Sequence, residues 1–583
     1  MKLKVFAAIS FLIVNVYACG DKPSTGGGTG GGTGGSTGGG TPTPTPTDPV
    51  TANTIGFFMN DWQSKTFTAP SYLSVTKPSV SPTSFVTVDA STIITKVAPS
   101  IYSHNANSWM GDMINDASLM NHITNLKPNI IRFPGGSISD VYFWNADPVN
   151  APTSTPADAP AQLIDANGTA SAAGYWGGKN NSGWTISLDK YYSMLQQTGN
   201  QGMITVNYGY ARYSTGTNPV SRAAHLAADW VRYDNGRTKY WEIGNECNGT
   251  WEAGYRINTA NNKDGQPAIV TGALYGQHVK VFIDSMRKAA TEIGKTIYIG
   301  SYILEAQPAA WQTATDQSWN AGVLPLVNNA TDFYIIHSYY TPYQTNATAS
   351  EILNTATVNT VNMATFYQNG ITAAGNTTKP IALTEYNITS QGTKQQVSFI
   401  NGMHATILLG EAISSKYAMT ARWDLANGYS GGNDHGLFNA GDEAGVAKWN
   451  PRPAFYYMYY FQKFMGDRML KSSVLGGVLA YASSFTSGEK GVILVNTSTA
   501  AETVNIVLQN ATAGTRFYWY TLTGGSDNGE FSSKVYVNGN GPTEPTGGPS
   551  ATYTSIQASS ALTSGGINVT MPARSVVYLV IDK

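Results

Sequence analysis

The chain has 583 residues, too many for one small core, and its 42% hydrophobic content is ample for globular packing, which excludes an intrinsically disordered protein. Its 35 Lys and Arg are balanced by 36 Asp and Glu, and charged residues make up only 12% of the chain where ~25% is usual. That balance argues against a nucleic-acid partner or an electrostatic membrane footprint. With 34 Tyr, 13 Trp and 61 Gly, the composition instead favours flat apolar faces among small polar residues, a surface suited to stacking on uncharged sugars.

The chain begins with Lys2 and Lys4, an apolar run from Val5 to Val14, and then Val16, Tyr17, Ala18 and Cys19, the pattern of an export signal over 1–19. A small residue before Cys19 with an aliphatic one at Val16 resembles the lipobox of bacterial lipoproteins. The resemblance implies lipidation of Cys19 and an exported protein anchored at a bacterial membrane, at the outer membrane or cell surface; ordinary cleavage and a short membrane anchor are the alternatives. The run is shorter than the ~20 apolar residues of a spanning helix, and no later segment qualifies. Cys247 is the only other cysteine, so a lipidated Cys19 leaves no intramolecular disulfide, and Cys247 is expected to be a small buried hydrophobe. Residues 20–50, nearly all Gly, Thr, Ser and Pro from Ser24 onward, read as a disordered tether.

From 75 to 97 the chain turns β-branched, with clear alternation over Phe85 to Lys96, which predicts strands outside any barrel. Then apolar β-type runs alternate with helical patterns. The strand candidates are Ser100 to His104, Asn129 to Phe133, Met203 to Asn207, Lys239 to Ile243, Thr296 to Ser301, Phe333 to His337, Ile381 to Glu385 and Ala418 to Asp424. Among the intervening helices, Tyr275 to Ile293 places Val279, Phe282, Met286, Ala290 and Ile293 at helical spacing. Eight buried strands alternating with amphipathic helices predict an α/β fold, a (β/α)8 TIM barrel over 98–464. A doubly wound open sheet is the rival, but no glycine-rich nucleotide fingerprint follows the first strand. After Met465, short alternating strands split by Gly, Ser, Asn and Thr predict an accessory all-β sandwich over 465–583, which the 75–97 strands are expected to join.

In a TIM barrel the reacting groups stand at the C-terminal strand ends. The fourth candidate reads KYWEIGNE and ends at Asn245 and Glu246; the seventh reads PIALTEYN and ends at Glu385. Glycoside hydrolysis needs such a pair, one carboxyl protonated to donate to the leaving oxygen and one ionised to attack. Here the motifs carry a resemblance. IIRFPGGS (Ile130 to Ser137), YWEIGNE, HSYY (His337 to Tyr340) and TEYN, in this order, are similar to the clan A, or 4/7, superfamily of retaining glycoside hydrolases, above all its α-L-arabinofuranosidase, β-xylosidase and β-glucuronidase branches. The resemblance covers roughly Val75 to Lys583. It implies Glu246 as acid/base, Asn245 as a partner for the sugar 2-hydroxyl, and Glu385 as nucleophile.

Other strand-end residues fit a supporting shell. Arg132 is expected near Glu385, holding it ionised while Glu246 titrates higher; the alternative is a plain structural ion pair. His337 is expected to orient Glu385, to touch substrate, or to be a hydrogen-bonded core histidine. Trp423 is expected to floor the sugar subsite. The long connection from Ser137 to Gly202 carries Trp144, Trp176 and Trp184; with Trp311, Trp319 and the segment Gly428 to Phe438 it reads as the walls of an elongated cleft, Trp144 being a substrate-binding residue. No His, Cys or Asp cluster has metal spacing, so no metal and no cofactor are expected. The partner is a polysaccharide or oligosaccharide, with the membrane met only through the lipid anchor and no nucleic acid involved. A non-catalytic surface glycan-binding lipoprotein is the alternative function, disfavoured because a binder has no need of two strand-end glutamates.

Overall fold

The computed structural model describes residues 46–147, 155–392, 394–429 and 434–583. The export signal, Cys19 and the tether as far as residue 45 lie outside the described residues. The end of the tether is held in place: the Asp48 carboxylate pairs with Arg468 at 2.5 Å and with Lys96 at 3.2 Å.

Eight parallel strands close into a barrel: β1 (Ser103–Asn105), β2 (Ile130–Phe133), β3 (Gln201–Val206), β4 (Thr238–Ile243), β5 (Tyr298–Tyr302), β6 (Phe333–Tyr339), β7 (Ile381–Asn387) and β8 (Met419–Arg422), with β8 pairing back onto β1. All eight predicted segments coincide with these strands, with ends shifted by a few residues. They read as apolar runs because a barrel strand is covered on both faces, inside by its neighbours and outside by helices; every residue of β2 and of β7 is buried. A helix follows each strand. The predicted helix after β4 spans Gly272–Glu292, with Thr271 capping Leu274 N–H. Those after β5 and β6, Ala314–Val327 and Ala349–Ala373, open with capping boxes, Thr313 with Asp316 and Thr348 with Glu351.

The region between the tether and the first predicted strand has its own task. Residues Gly56–Met59 form one 3-10 turn that seals the N-terminal end of the barrel. Phe57 stacks on Tyr298 at 3.8 Å and Phe58 on Tyr240 at 4.8 Å, both against the edge of Phe333.

Eleven of the remaining strands form one sheet folded over a second core, and among the described residues the other six pair into three small two-stranded sheets. Ser84–Lys96 lies inside this sheet, antiparallel to Arg468–Leu475 and parallel to Glu502–Gln509. The strand Ser575–Ile581 is wholly buried, and its alternation splits it between two cores: Val577, Leu579 and Ile581 face the sandwich interior, while Val576, Tyr578 and Val580 join the barrel core. The Tyr578 hydroxyl reaches the Tyr457 carbonyl at 2.9 Å and Thr406 Oγ1 at 2.8 Å, tying the sheet to helices Pro453–Phe464 and Phe399–Ser414.

Candidate active site

Glu246 and Glu385 stand at the C-terminal mouth of the barrel, facing a cavity of about 850 Å³. Glu385 is part of β7, whereas Glu246 lies three residues beyond β4 in a turn through Gly244. The turn is tight: a Cβ on Gly244 would meet the Cys247 thiol and stand 2.6 Å from the Tyr208 Cβ. Glu246 itself has φ +38°, a left-handed conformation that costs a non-glycine residue ~1–3 kcal/mol. The strain is held by bonds from the Asn245 N–H to Asp140 (3.0 Å) and from the Gly249 N–H to the Glu246 carbonyl (2.6 Å). A carboxylate oxygen of Glu246 lies within 4.8 Å of one of Glu385.

Arg132, at 0% exposure, organises the floor. Its guanidinium donates to Glu385 Oε1 (2.7 Å), Asn105 Oδ1 (3.0 Å), Asn245 Oδ1 (2.9 Å) and Glu242 Oε2 (2.5 Å). Glu242 also accepts from Thr205, and Glu385 Oε2 accepts from the Tyr339 hydroxyl at 3.1 Å. His337 stands between the two glutamates, Nδ1 at 3.0 Å from Glu246 Oε1 and 3.8 Å from Glu385 Oε1, while Nε2 meets Thr384 Oγ1 at 3.0 Å. Asn245 donates one amide hydrogen to Glu252 at 2.9 Å, leaving the second for a ligand.

The expected order of the two carboxyls is reversed in the structure. Burial pushes Glu246 up, but the His337 contact and the Trp251 indole N–H, donating at 3.0 Å, outweigh it and hold Glu246 below its ordinary value. Glu385 is raised: burial, helped by the Glu246 charge, exceeds the downward pull of His337 and Arg132. Burial pulls the His337 imidazole toward neutrality, but the Glu385 charge and the Glu246 contact outweigh it and raise His337 above its ordinary value. Two donors, His337 and Trp251, thus favour the ionised form of Glu246. Replacing Trp251 by Phe removes one of those donors while keeping a flat ring, so the Glu246 carboxyl rises and the alkaline limb of kcat/KM moves upward by about half to one pH unit. An unshifted limb in a pH–rate profile refutes this role for the indole.

Trp423, 7% exposed and followed by a cis peptide to Asp424, lays its indole against the Gly135–Gly136 backbone and meets Trp109 edge-on at 6.1 Å. Gly136 has φ +58°, and a Cβ there would stand 2.5 Å from the Trp423 ring, so glycine is what lets the indole close this side of the mouth.

The other predicted cleft tryptophans are placed differently. Trp144 does not line the cavity; its indole packs on Trp230 and Tyr233 of helix Pro219–Asp234 and donates to the Leu226 carbonyl at 3.0 Å. The chain after β2 carries it round the outside of the barrel, and the stretch read as one long loop contains helix Leu188–Thr198. Trp319 is a 0% exposed core residue beneath Tyr302. Trp176 and Trp184 pair with each other at 5.5 Å, and Trp311 is 86% exposed; none of the three lines the cavity. The aromatic walls are instead Trp109, Trp251, Tyr302, Tyr339 and Tyr343. Trp251 follows Glu246 by five residues and Tyr339 lies within HSYY, so proximity to those motifs was the available signal. His435 also borders the cavity, while Ser430 to Asn433 of its loop lie outside the described residues. Cys247 is buried and unpaired, its thiol pushed up by burial.

Among the described residues, Glu246, His337 and Glu385 are also the one His and carboxylate group compact enough to hold a cation. The Arg132 guanidinium, 2.7 Å from Glu385, already supplies a fixed positive charge there.

No family model matches the chain, and no curated protein matches it. Solved structures do. A GH51 α-L-arabinofuranosidase from Thermotoga petrophila superposes with a TM-score of 0.60 at 16% identity, and an α-L-arabinofuranosidase from Thermotoga maritima in an arabinose complex with 0.59 at 16%. A xyloglucanase of glycoside hydrolase family 44 from Paenibacillus polymyxa gives 0.54 at 11%. In each case the match covers 86% of this chain and 100% of the other. The chain therefore has the fold of these proteins, a TIM barrel joined to a β-sandwich.

Proposed function

We propose that the protein is a retaining glycoside hydrolase that cleaves O-glycosidic bonds in a plant or algal polysaccharide or its oligosaccharides. The observation that carries this reading is the approach of Glu246 and Glu385 to within 4.8 Å across the barrel mouth. Direct attack through a covalent glycosyl-enzyme calls for carboxyls about 5–5.5 Å apart, whereas an interposed water calls for ~6.5–9.5 Å. The names of the structural neighbours, arabinofuranosidases and a xyloglucanase, support a carbohydrate substrate.

In the first step Glu385 attacks the anomeric carbon while Glu246 gives its proton to the leaving oxygen, and the glycosidic C–O bond breaks. In the second, Glu246 takes a proton from a water whose oxygen displaces Glu385 and frees the sugar. Two buried carboxyls this close resist holding two charges, so the pair keeps one proton between them at rest. A leaving oxygen docked on Glu246 draws that proton to the acid. Trp423 forms an apolar floor, and the free amide hydrogen of Asn245 is available to a sugar hydroxyl. Cys19 carries the lipid that anchors the exported protein, which membrane fractionation of the wild type and Cys19→Ser reads directly.

Incubation with a panel of plant and algal glycans is expected to produce new reducing ends, and NMR of the first product to find the substrate's anomeric configuration. Inverted product, or binding without turnover across the panel, sinks the reading.

A further inference from the structure

We propose that the cleft selects uncharged glycans and rejects anionic ones, those bearing uronate or sulfate groups, and that Glu305 extends this selection beyond the sugar being cleaved. The inference rests on the reading of this cleft as a glycan site.

Three carboxyl groups face the cavity, Glu246, Glu385 and Glu305, and among the described residues its lining contains neither Lys nor Arg. The segments 148–154, 393 and 430–433 hold none in their sequence either. Nor can the cations behind the lining answer an anion. Four of the five donors of Arg132 go to Glu242, Asn105, Glu385 and Asn245, and at 0% exposure it has no face toward the cleft. His337 is occupied on both nitrogens. Arg422 and Arg452 are both buried, at 1% and 3% exposure.

Glu305 is the member of the trio that the two catalytic steps leave unused. It follows β5 by three residues, only half-buried, and shares the wall with Leu304 and Gln312 on the Glu246 side of the mouth. Burial, with the nearby Glu246 charge adding to it, pushes its carboxyl up to about 7. As an acid or as a carboxylate it bonds sugar hydroxyls; as a carboxylate it also repels a second anion across a partly desolvated gap, where Coulomb forces are weakly screened. The walls fit the same ligand, since Trp109, Trp251 and Tyr343 offer ring faces to the apolar faces of neutral sugars.

The test measures binding at pH 8, so that it does not depend on turnover. Glu385→Gln protein is titrated with arabinoxylan and xyloglucan oligosaccharides, and with the same oligosaccharides after their primary hydroxyls have been oxidised to carboxylates. We expect oxidation to weaken binding by on the order of 100-fold at low salt, and the gap to narrow as ionic strength rises. In Glu305→Gln/Glu385→Gln protein the gap shrinks by at least about fivefold, because one repelling charge is gone while side-chain volume is kept. Equal or tighter binding of the oxidised forms, or no binding of either neutral probe, overturns the selection; an unchanged gap in the double variant overturns the assignment to Glu305. If wild-type protein discriminates in this way yet releases no reducing ends, the hydrolase reading falls and this inference stands.

Discussion

If Glu385 is the nucleophile, Glu385→Gln protein should fold and bind glycan but turn over at less than about 10⁻⁴ of the wild-type rate, because the substitution removes the attacking charge with almost no change in volume. The Arg132 donor still meets the amide oxygen, and the Tyr339 hydroxyl, which now faces the amide NH2, can turn to accept from it, so the packing of the mouth survives. Glu246→Ala behaves differently. An activated aryl glycoside needs little proton donation, so its first step is nearly spared, whereas a sugar leaving group is slowed by on the order of 10²–10⁴-fold. With the activated substrate the slow step becomes hydrolysis of the glycosyl-enzyme, and added azide, a nucleophile that needs no base, should speed it and yield a glycosyl azide. Comparable losses on both classes of substrate, without azide rescue, would assign the proton to another group.

The second large effect is at Arg132. Arg132→Met leaves Glu242 and Glu385 buried without their cation, and breaking a buried pair from one side costs ~3–5 kcal/mol. The pH dependence has a definite sign. Without the guanidinium, the folded-state pKa of a buried carboxyl lies above its unfolded value, so the group binds its proton more tightly when folded and destabilises as pH rises. The deficit should therefore be larger at pH 8 than at pH 5, as read by urea unfolding at both. Removing one orphaned charge relieves part of the cost, and the Arg132→Met/Glu385→Gln double variant should be more stable than Arg132→Met alone. A deficit independent of pH would mean that Arg132 matters by volume and not by charge.

The barrel was legible because parallel strands buried on both faces leave an unbroken apolar run, and β2 and β7 carry theirs directly into the motifs that hold Arg132 and Glu385. The two glutamates were legible for the same reason: strand ends are countable. The cleft walls were not. Nothing in the spacing of Trp144 and Trp319 distinguishes an indole in the helix layer from one over the cavity, since both lie in connections between strands. The partner that settles Trp144, Tyr233, comes from a distant helix, and Trp319 is settled by folding its own helix back onto Tyr302 at the end of the preceding strand. The order of the two carboxyl pKa values was hidden likewise, because it turns on Trp251 and His337 converging on one carboxylate. The seal at Phe57 and Phe58 escaped notice because one 3-10 turn has no periodicity to detect.

The strand Ser575–Ile581 sets a timetable for synthesis. A ribosome that has made every barrel strand has not yet made the surface against which helices Phe399–Ser414 and Pro453–Phe464 rest, and Tyr456, Tyr457, Tyr460 and Phe464 among others stay uncovered until more than a hundred further residues follow. Nascent barrel is thus a sticky object. If the chain is exported unfolded, as proposed for its N-terminal signal, both layers assemble together once it has crossed, and that aromatic face is never left open beside other half-made chains.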